Sequence, residues 1–122
     1  MNIIITGASK GIGFAIAKAF AAAGHNLYLT SKTPADLANA AADLQKAFPA
    51  VKVEFVHADL SIQAQVHCFS EWVLARTTPD VLVNNAGITR DSVFRKMTPD
   101  AWKAVIDTNL NSLFNVTKQV ID

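Results

Sequence analysis

A run of β-branched residues near the start of the chain stops abruptly at a cluster of glycines. Ile3-Ile4-Ile5-Thr6 has no polar alternation, so it reads as a strand buried on both faces. Thr6-Gly7-Ala8-Ser9-Lys10-Gly11-Ile12-Gly13 follows at once, and an alanine-rich helical stretch runs from Ile12 to Ala23. Strand, glycine turn, helix is the context in which such glycines acquire meaning. Gly7 permits a tight turn off the strand, Gly11 lets backbone approach a diphosphate, and Gly13 lets the helix pack close to the sheet. The helix N-terminus then offers free N–H groups and a positive dipole end to an anion.

The same alternation continues along the chain. Gly24 is placed to stop the first helix, and Asn26 to Thr30 forms a second strand. Thr33 offers an N-cap, with Pro34 at the first helical position and Asp36 in the first turn, for a helix reaching about Ala47. Val51 to His57 reads as a third strand whose early alternation marks an edge. Ser61 is expected to cap a helix ending near Ala75. Val81-Leu82-Val83 is short and wholly apolar, hence a strand that is central or covered on both faces. Thr98-Pro99-Asp100 opens a long helix towards Asp122. Four strands alternating with four helices predict an α/β fold, a three-layer doubly wound parallel sheet of the Rossmann kind. Right-handed crossovers make its strand order 3-2-1-4.

Composition narrows the function classes. At 122 residues, 51% hydrophobic and 17% charged, the sequence is expected to form one globular dinucleotide-binding domain over residues 1–122. A net charge of +1 gives no electrostatic reason to expect nucleic acid or a membrane surface as partner. No apolar run approaches about eighteen residues, and Ile3-Ile4-Ile5 is too short for the core of a signal peptide. The single cysteine, Cys68, cannot form an internal disulfide, which makes a reducing, cytoplasmic setting the expectation. Its helical position predicts a small core residue, and Phe69 with Trp72 at helical spacing predicts packing. His25, His57 and His67 are scattered without ligand spacing, so no metal is expected.

The glycines fall as TGxxxGxG, a spacing that resembles the short-chain dehydrogenase/reductase family. Asp59-Leu60 follows the third strand, where family members hold the adenine ring. Asn84-Asn85-Ala86-Gly87 follows the fourth and matches the family's NNAG motif, whose backbone lies near the adenosine ribose and stabilises the central sheet. Asn109 lies in the long helix, where the family carries one member of an Asn-Ser-Tyr-Lys catalytic set. The resemblance implies reversible hydride transfer to a ketone or 3-oxoacyl thioester, with Asn109 catalytic as a water-holding link in a proton relay. It assigns Gly7, Ser9, Lys10, Gly11, Ile12, Gly13, Asp59, Leu60, Asn85, Ala86 and Gly87 to the cofactor. From Gly87 onward the likeness is greatest to bacterial 3-oxoacyl-thioester and acetoacetyl-CoA reductases, through Thr108-Asn109-Leu110-Asn111-Ser112-Leu113-Phe114-Asn115-Val116-Thr117-Lys118. The first eighty or so residues look less specialised, an unevenness expected of a recombined sequence joined between Val81 and Gly87.

Cofactor choice turns on what meets the adenosine ribose after the second strand. A carboxylate there would accept bonds from a 2′-hydroxyl and repel a 2′-phosphate. This sequence has Thr30-Ser31-Lys32 instead, with no acid before Asp36, and Lys10 sits inside the glycine turn. Two cations and the Ser31 hydroxyl around one phosphate predict NADP(H). The competing reading leaves both lysines as solvated surface charges.

In the last helix Trp102, Val105, Ile106, Leu110, Leu113 and Phe114 recur at helical spacing and predict a wide core-facing stripe. Asn109 falls inside it, so a buried amide with specific partners is expected. The alternative is an asparagine satisfied by local backbone. The family's catalytic serine and YxxxK pair are expected some forty residues beyond Asn109. The one tyrosine, Tyr28, precedes Lys32 by four residues, but in a strand the two side chains cannot share a helical face. Without a proton donor for the developing alkoxide, the chain alone is expected to bind cofactor and turn over little or nothing. A bare fourth-strand edge and helical stripe also predict self-association, a homodimer or higher oligomer. Three functions remain open: an enzyme's cofactor-binding half, a non-catalytic nucleotide-binding or scaffold module, and one part of a reductase assembled from two chains.

Overall fold

A computed structural model describes residues 1–121. Its elements are β1 (Asn2–Thr6), α1 (Gly11–Ala22), β2 (Asn26–Thr30), α2 (Pro34–Ala47), β3 (Val53–Phe55), α3 (Gln63–Leu74) and β4 (Val81–Val83). After a single 3-10 turn at Phe94–Lys96 come α4 (Pro99–Ile106), a π-helical turn at Asp107–Asn111, and α5 (Ser112–Val120). The four strands are parallel and lie in the order β3-β2-β1-β4, as predicted.

Strand side chains alternate between two cores, which is what makes three layers. Ile3, Ile5, Leu27 and Leu29 point to one face and pack under Ala17 and Ala21 of α1 and Leu37 and Leu44 of α2. Ile4 and Tyr28 point to the other, against Val66, Phe69 and Val73 of α3 and Val116 of α5. The pure isoleucine run of β1 is thus explained: both of its faces are covered. Phe69 and Trp72 stack with ring centroids 6.3 Å apart, the packing role expected of them.

Several boundaries differ from expectation for local reasons. The third strand is three residues long, because Val51 already lies in a turn whose N–H donates to Phe48 O. Ser61 does not cap α3; it donates instead to the Asp59 carboxylate, and the helix begins after Ile62. Thr33 precedes α2 without a side-chain cap, whereas Thr98 Oγ1 does accept from Ala101 N at 3.1 Å. Cys68 is exposed rather than a core residue, since it faces away from the Val66–Phe69–Val73 side of α3. β4 is the edge opposite β3 rather than a central strand and is only half-buried, yet Val81 and Val83 pack against one core and Leu82 against the other, so its apolar run does mark cover on both faces.

The largest correction concerns the last helix. It is broken by the π turn, and its core-facing row is Thr108, Ser112 and Val116. The apolar stripe is not that row: Trp102, Leu110, Leu113 and Phe114 are exposed. Small hydroxyl residues let the helix lie close to its neighbours, and Ser112 Oγ satisfies itself on the Thr108 carbonyl. Asp122, expected at the end of this helix, lies outside the described residues. Among the described residues no helix is long and apolar enough to cross a membrane, and no group of three or more His, Cys, Asp or Glu could hold a metal ion.

Candidate functional site

The carboxyl ends of all four strands open onto one cleft of about 630 Å³. It lies where the chain leaves β1 for one face of the sheet and β4 for the other, the crevice where open parallel sheets bind ligands. Twelve of the residues singled out in the sequence line it: Gly7, Ser9, Lys10, Gly11 and Ile12 from the glycine turn, Ser31 and Lys32 after β2, Asp59 and Leu60 after β3, and Asn85, Ala86 and Gly87 after β4.

Hydrogen bonds tie these loops together. The Thr6 hydroxyl accepts from Asn85 N and Ala86 N, each at 3.0 Å, and donates to Val83 O at 3.4 Å. Asn85 Nδ2 donates in return to the carbonyls of Thr6 and Gly7, at 3.2 and 3.1 Å. Ala8 N reaches Thr30 O at 3.1 Å, and the Ser9 and Ser31 hydroxyls lie 3.0 Å apart. On the third loop, Asp59 Oδ1 accepts from Ser61 N and Ser61 Oγ, while Asp59 N donates to Gln65 Oε1. The cleft floor is therefore fixed by contacts between β1, β2 and β4 rather than by any one loop.

Gly13 and Asn109 do not line the cleft; each supports a residue that does. Gly13 is buried beneath the turn, against the Gly7 carbonyl and the Asn85 amide. Asn109 is exposed, against the expectation of a buried amide, because the π turn swings it out of the core-facing row. Its Oδ1 accepts from Ile88 N at 2.7 Å and its Nδ2 donates to Ile88 O at 2.8 Å. Both halves of the amide are thus spent on one residue of the loop after Gly87. A π turn in an otherwise α-helical rod is a frequent mark of a functional position.

The chemistry of the lining is that of an anion site. Lys10 precedes α1, whose first turn receives no side-chain cap, so its N–H groups stay available. Lys10, Lys32 and Arg90 all border the cleft, and among the described residues none has a carboxylate within ion-pair distance. Gly11 has φ of +59° and no atom within 4 Å of a would-be Cβ, leaving open space above the helix start. Six further lining residues, Thr33, Ala58, Ile88, Thr89, Arg90 and Thr108, are not assigned to the site from the sequence, although Thr33 reads as an N-cap and Thr108 belongs to the reductase-like run. Arg90, three residues beyond the Asn-Asn-Ala-Gly run, was the readable signal among them.

Residues 1–122 match the family described as short chain dehydrogenase. The chain belongs to that family. A 3-oxoacyl-[acyl-carrier-protein] reductase from Chlamydia muridarum is 44% identical over 119 residues, covering 97% of this chain and 48% of the relative. An acetoacetyl-CoA reductase from Cupriavidus necator is 84% identical over a segment of 43 residues, 35% of this chain and 18% of the relative. Among solved structures, an alcohol dehydrogenase from Thermococcus sibiricus complexed with 5-hydroxy-NADP superposes with a TM-score of 0.94 at 34% identity. It covers 99% of this chain and 52% of that one. The chain spans about half the length of the curated relatives it matches across its whole length. The short chain dehydrogenase fold accounts for the TGxxxGxG turn and the Asn84–Gly87 run lying on one cleft.

Proposed function

We propose that residues 1–122 form the NADP(H)-binding half of a reductase that acts on a ketone or a 3-oxoacyl thioester. The observation that carries this is a pair of cations, Lys10 and Lys32, beside an uncapped helix start, with no carboxylate within ion-pair distance of either among the described residues. A dinucleotide with an extra phosphate supplies the negative charge such a cleft lacks. The Ser9–Ser31 hydroxyl pair and Lys32 are assigned to the 2′-phosphate, with Lys10 beside them. The α1 N-terminus and Gly11 are assigned to the diphosphate, Asp59 and Leu60 to the adenine, and Asn85, Ala86 and Gly87 to the adenosine ribose. The solved relative holding an NADP analogue and the two thioester reductases support the same reading.

When bound, the nicotinamide carries the hydride. This chain's residues bind and orient it, and Asn109 fixes the Ile88 backbone at the far end of the cleft. Reduction of a carbonyl also needs a proton donor. Tyr28, the one tyrosine, is 2% exposed and packed edge-on against Trp72 in the core. The chain by itself is therefore assigned binding with little or no turnover, and a homo-oligomer in a reducing, cytoplasmic setting is its expected form. Calorimetric titration with NADP+ and NAD+, followed by a ketoester reduction assay, tests the proposal. Preference for NADP+ by about tenfold or more, some 1.4 kcal/mol, supports it. Failure to bind either nucleotide overturns it in favour of a scaffold, and turnover only after adding a second polypeptide identifies a reductase assembled from two chains.

A further inference from the structure

The main cleft does not end at Arg90. A second hollow of about 440 Å³ adjoins it, lined by Thr89, Arg90, Asp91, Ser92, Lys96 and the start of α4. Thr89 and Arg90 border both, so the Arg90 side chain stands at the junction. The hollow carries two cations against one carboxylate, and among the described residues neither Arg90 nor Lys96 has an acid within ion-pair distance. Arg90 Nη1 makes one local bond, to Thr89 O at 2.9 Å, which leaves most of its fork of donors free. Its position separates it from Lys10 and Lys32: they border only the nucleotide cleft, whereas Arg90 faces a space that the dinucleotide assignment does not use.

We infer that the hollow between Arg90 and Lys96 holds the phosphate of a substrate's 4′-phosphopantetheine arm. This rests on the thioester reading above and specifies its substrate class. Coenzyme A and an acyl carrier protein present different bodies but the same arm: a thioester at one end, a phosphate at the other. A site shared by substrates of both kinds must therefore read the arm. The reacting carbonyl lies at the thioester end and belongs in the main cleft, and the phosphate trails out of it. Arg90 and Lys96 border the hollow that adjoins that cleft. Guanidinium and ammonium on the walls of one hollow suit the arm's phosphate anion, a phosphodiester on a carrier protein and part of a diphosphate in coenzyme A, the first as a fork of donors and the second as a point charge. Ser92 Oγ already donates to Val93 O, whereas Thr98 Oγ1 accepts from Ala101 N and keeps its own hydrogen to donate.

The test is an amide-shift titration of the full chain with pantetheine 4′-phosphate, run with excess NADP+ present. Unphosphorylated pantetheine and inorganic phosphate serve as controls. Shifts centred on residues 89–98, with affinity for the phosphorylated arm at least about tenfold above that for pantetheine, support the inference. Arg90→Gln and Lys96→Gln should each weaken that binding by about fivefold to tenfold while the rest of the spectrum stays in place. Lys10→Gln should weaken NADP+ and leave the arm's affinity unchanged, so loss of the nucleotide reading and loss of this one are told apart. Equal binding of pantetheine and its phosphate overturns the inference, as do shifts confined to residues 9–13 or insensitivity to both Arg90→Gln and Lys96→Gln. Coenzyme A and a phosphopantetheinylated carrier protein are then titrated in turn. Binding of either that is lost in Arg90→Gln supports the arm as the recognised element and shows which body the chain prefers.

Discussion

A Cβ on Gly13 would stand 2.2 Å from the carbonyl oxygen of Gly7 and 2.5 Å from Asn85 Nδ2. The start of α1, the end of β1 and the loop after β4 therefore meet where only hydrogen fits. Gly13→Ala must push backbone against backbone, so it should cost about 3 kcal/mol or more, the upper part of the overpacking range. Gly11→Ala is the control. It meets no atom within 4 Å, and its φ of +59° costs only the left-handed penalty of about 1–2 kcal/mol. Urea unfolding of the two variants checks the order; equal losses would show that backbone conformation, not close approach, fixes the turn.

Asn109 and Ile88 form a two-bond clasp, and its two bonds separate by substitution. Asn109→Ala removes both and should raise exchange of the Ile88 amide by about tenfold, the effect of one bond worth roughly 1.4 kcal/mol. Asn109→Asp keeps an acceptor for Ile88 N but faces the Ile88 carbonyl with a carboxylate in place of a donor. It should retain most of the amide's protection while displacing the loop of residues 87–90. Amide exchange read by NMR decides it, and unchanged protection in Asn109→Ala would dissolve the clasp.

Much of this was legible in the residues. Periodicity supplied the parallel order, because an all-apolar β1 demands cover on both faces and right-handed crossovers leave few arrangements. Motif spacing located twelve cleft residues, since turns after parallel strands must gather at the same sheet end. What failed was the reading of side-chain direction in the last helix. Leu110, Leu113 and Phe114 look like a core stripe, yet Thr108, Ser112 and Val116 face inward. A hydroxyl that bonds its own helix backbone is cheap to bury, and no periodicity of hydrophobic residues registers it. The π turn was equally hidden, being an added residue in the hydrogen-bond ladder with no residue type of its own.

Charge on the cleft wall sets the expected nucleotide preference. Lys32→Glu and Lys10→Glu should each weaken NADP+ by about tenfold to a hundredfold, as losing a charged hydrogen bond of roughly 1.5–3 kcal/mol implies. NAD+ has no 2′-phosphate, so Lys32→Glu should leave its affinity within about threefold and narrow the preference. Titration of both nucleotides against both variants checks this. A parallel loss for the two nucleotides in Lys32→Glu would place that lysine on the diphosphate instead.

Asp107 supplies a pH dependence of known sign. Its hydrogen bond with Lys103, and then that from Asn111, hold the carboxyl below its ordinary value of 3.8. A folded value below the unfolded one gives stability that is present above 3.8 and is lost as pH falls through the depressed folded value. The pair is at the surface, so the effect is small and salt weakens it. Thermal midpoints of wild type and Asp107→Asn should therefore differ near neutral pH and converge as pH falls below 3.8 and through the depressed folded value. A gap that stays constant across that range would remove the carboxylate as its cause.

The helix pair α4 and α5 leaves an apolar surface that should govern association. Trp102, Leu110 and Phe114 are 55%, 58% and 66% exposed, while the inward row of the same rod is already satisfied by Ser112 and Val116. Phe114 carries Lys118 at 5.5 Å over its ring, too little cover to hide it from water. Burying such side chains between two copies is favourable at about 25 cal/mol per Å² before the cost of association. Sedimentation equilibrium should show self-association that strengthens with concentration. Leu110→Glu with Phe114→Glu should shift the chain towards monomer. The thermal midpoint extrapolated to low concentration should stay close to that of wild type, because neither side chain belongs to a core. A wild-type chain that remains monomeric at high concentration would show that this surface does not self-associate.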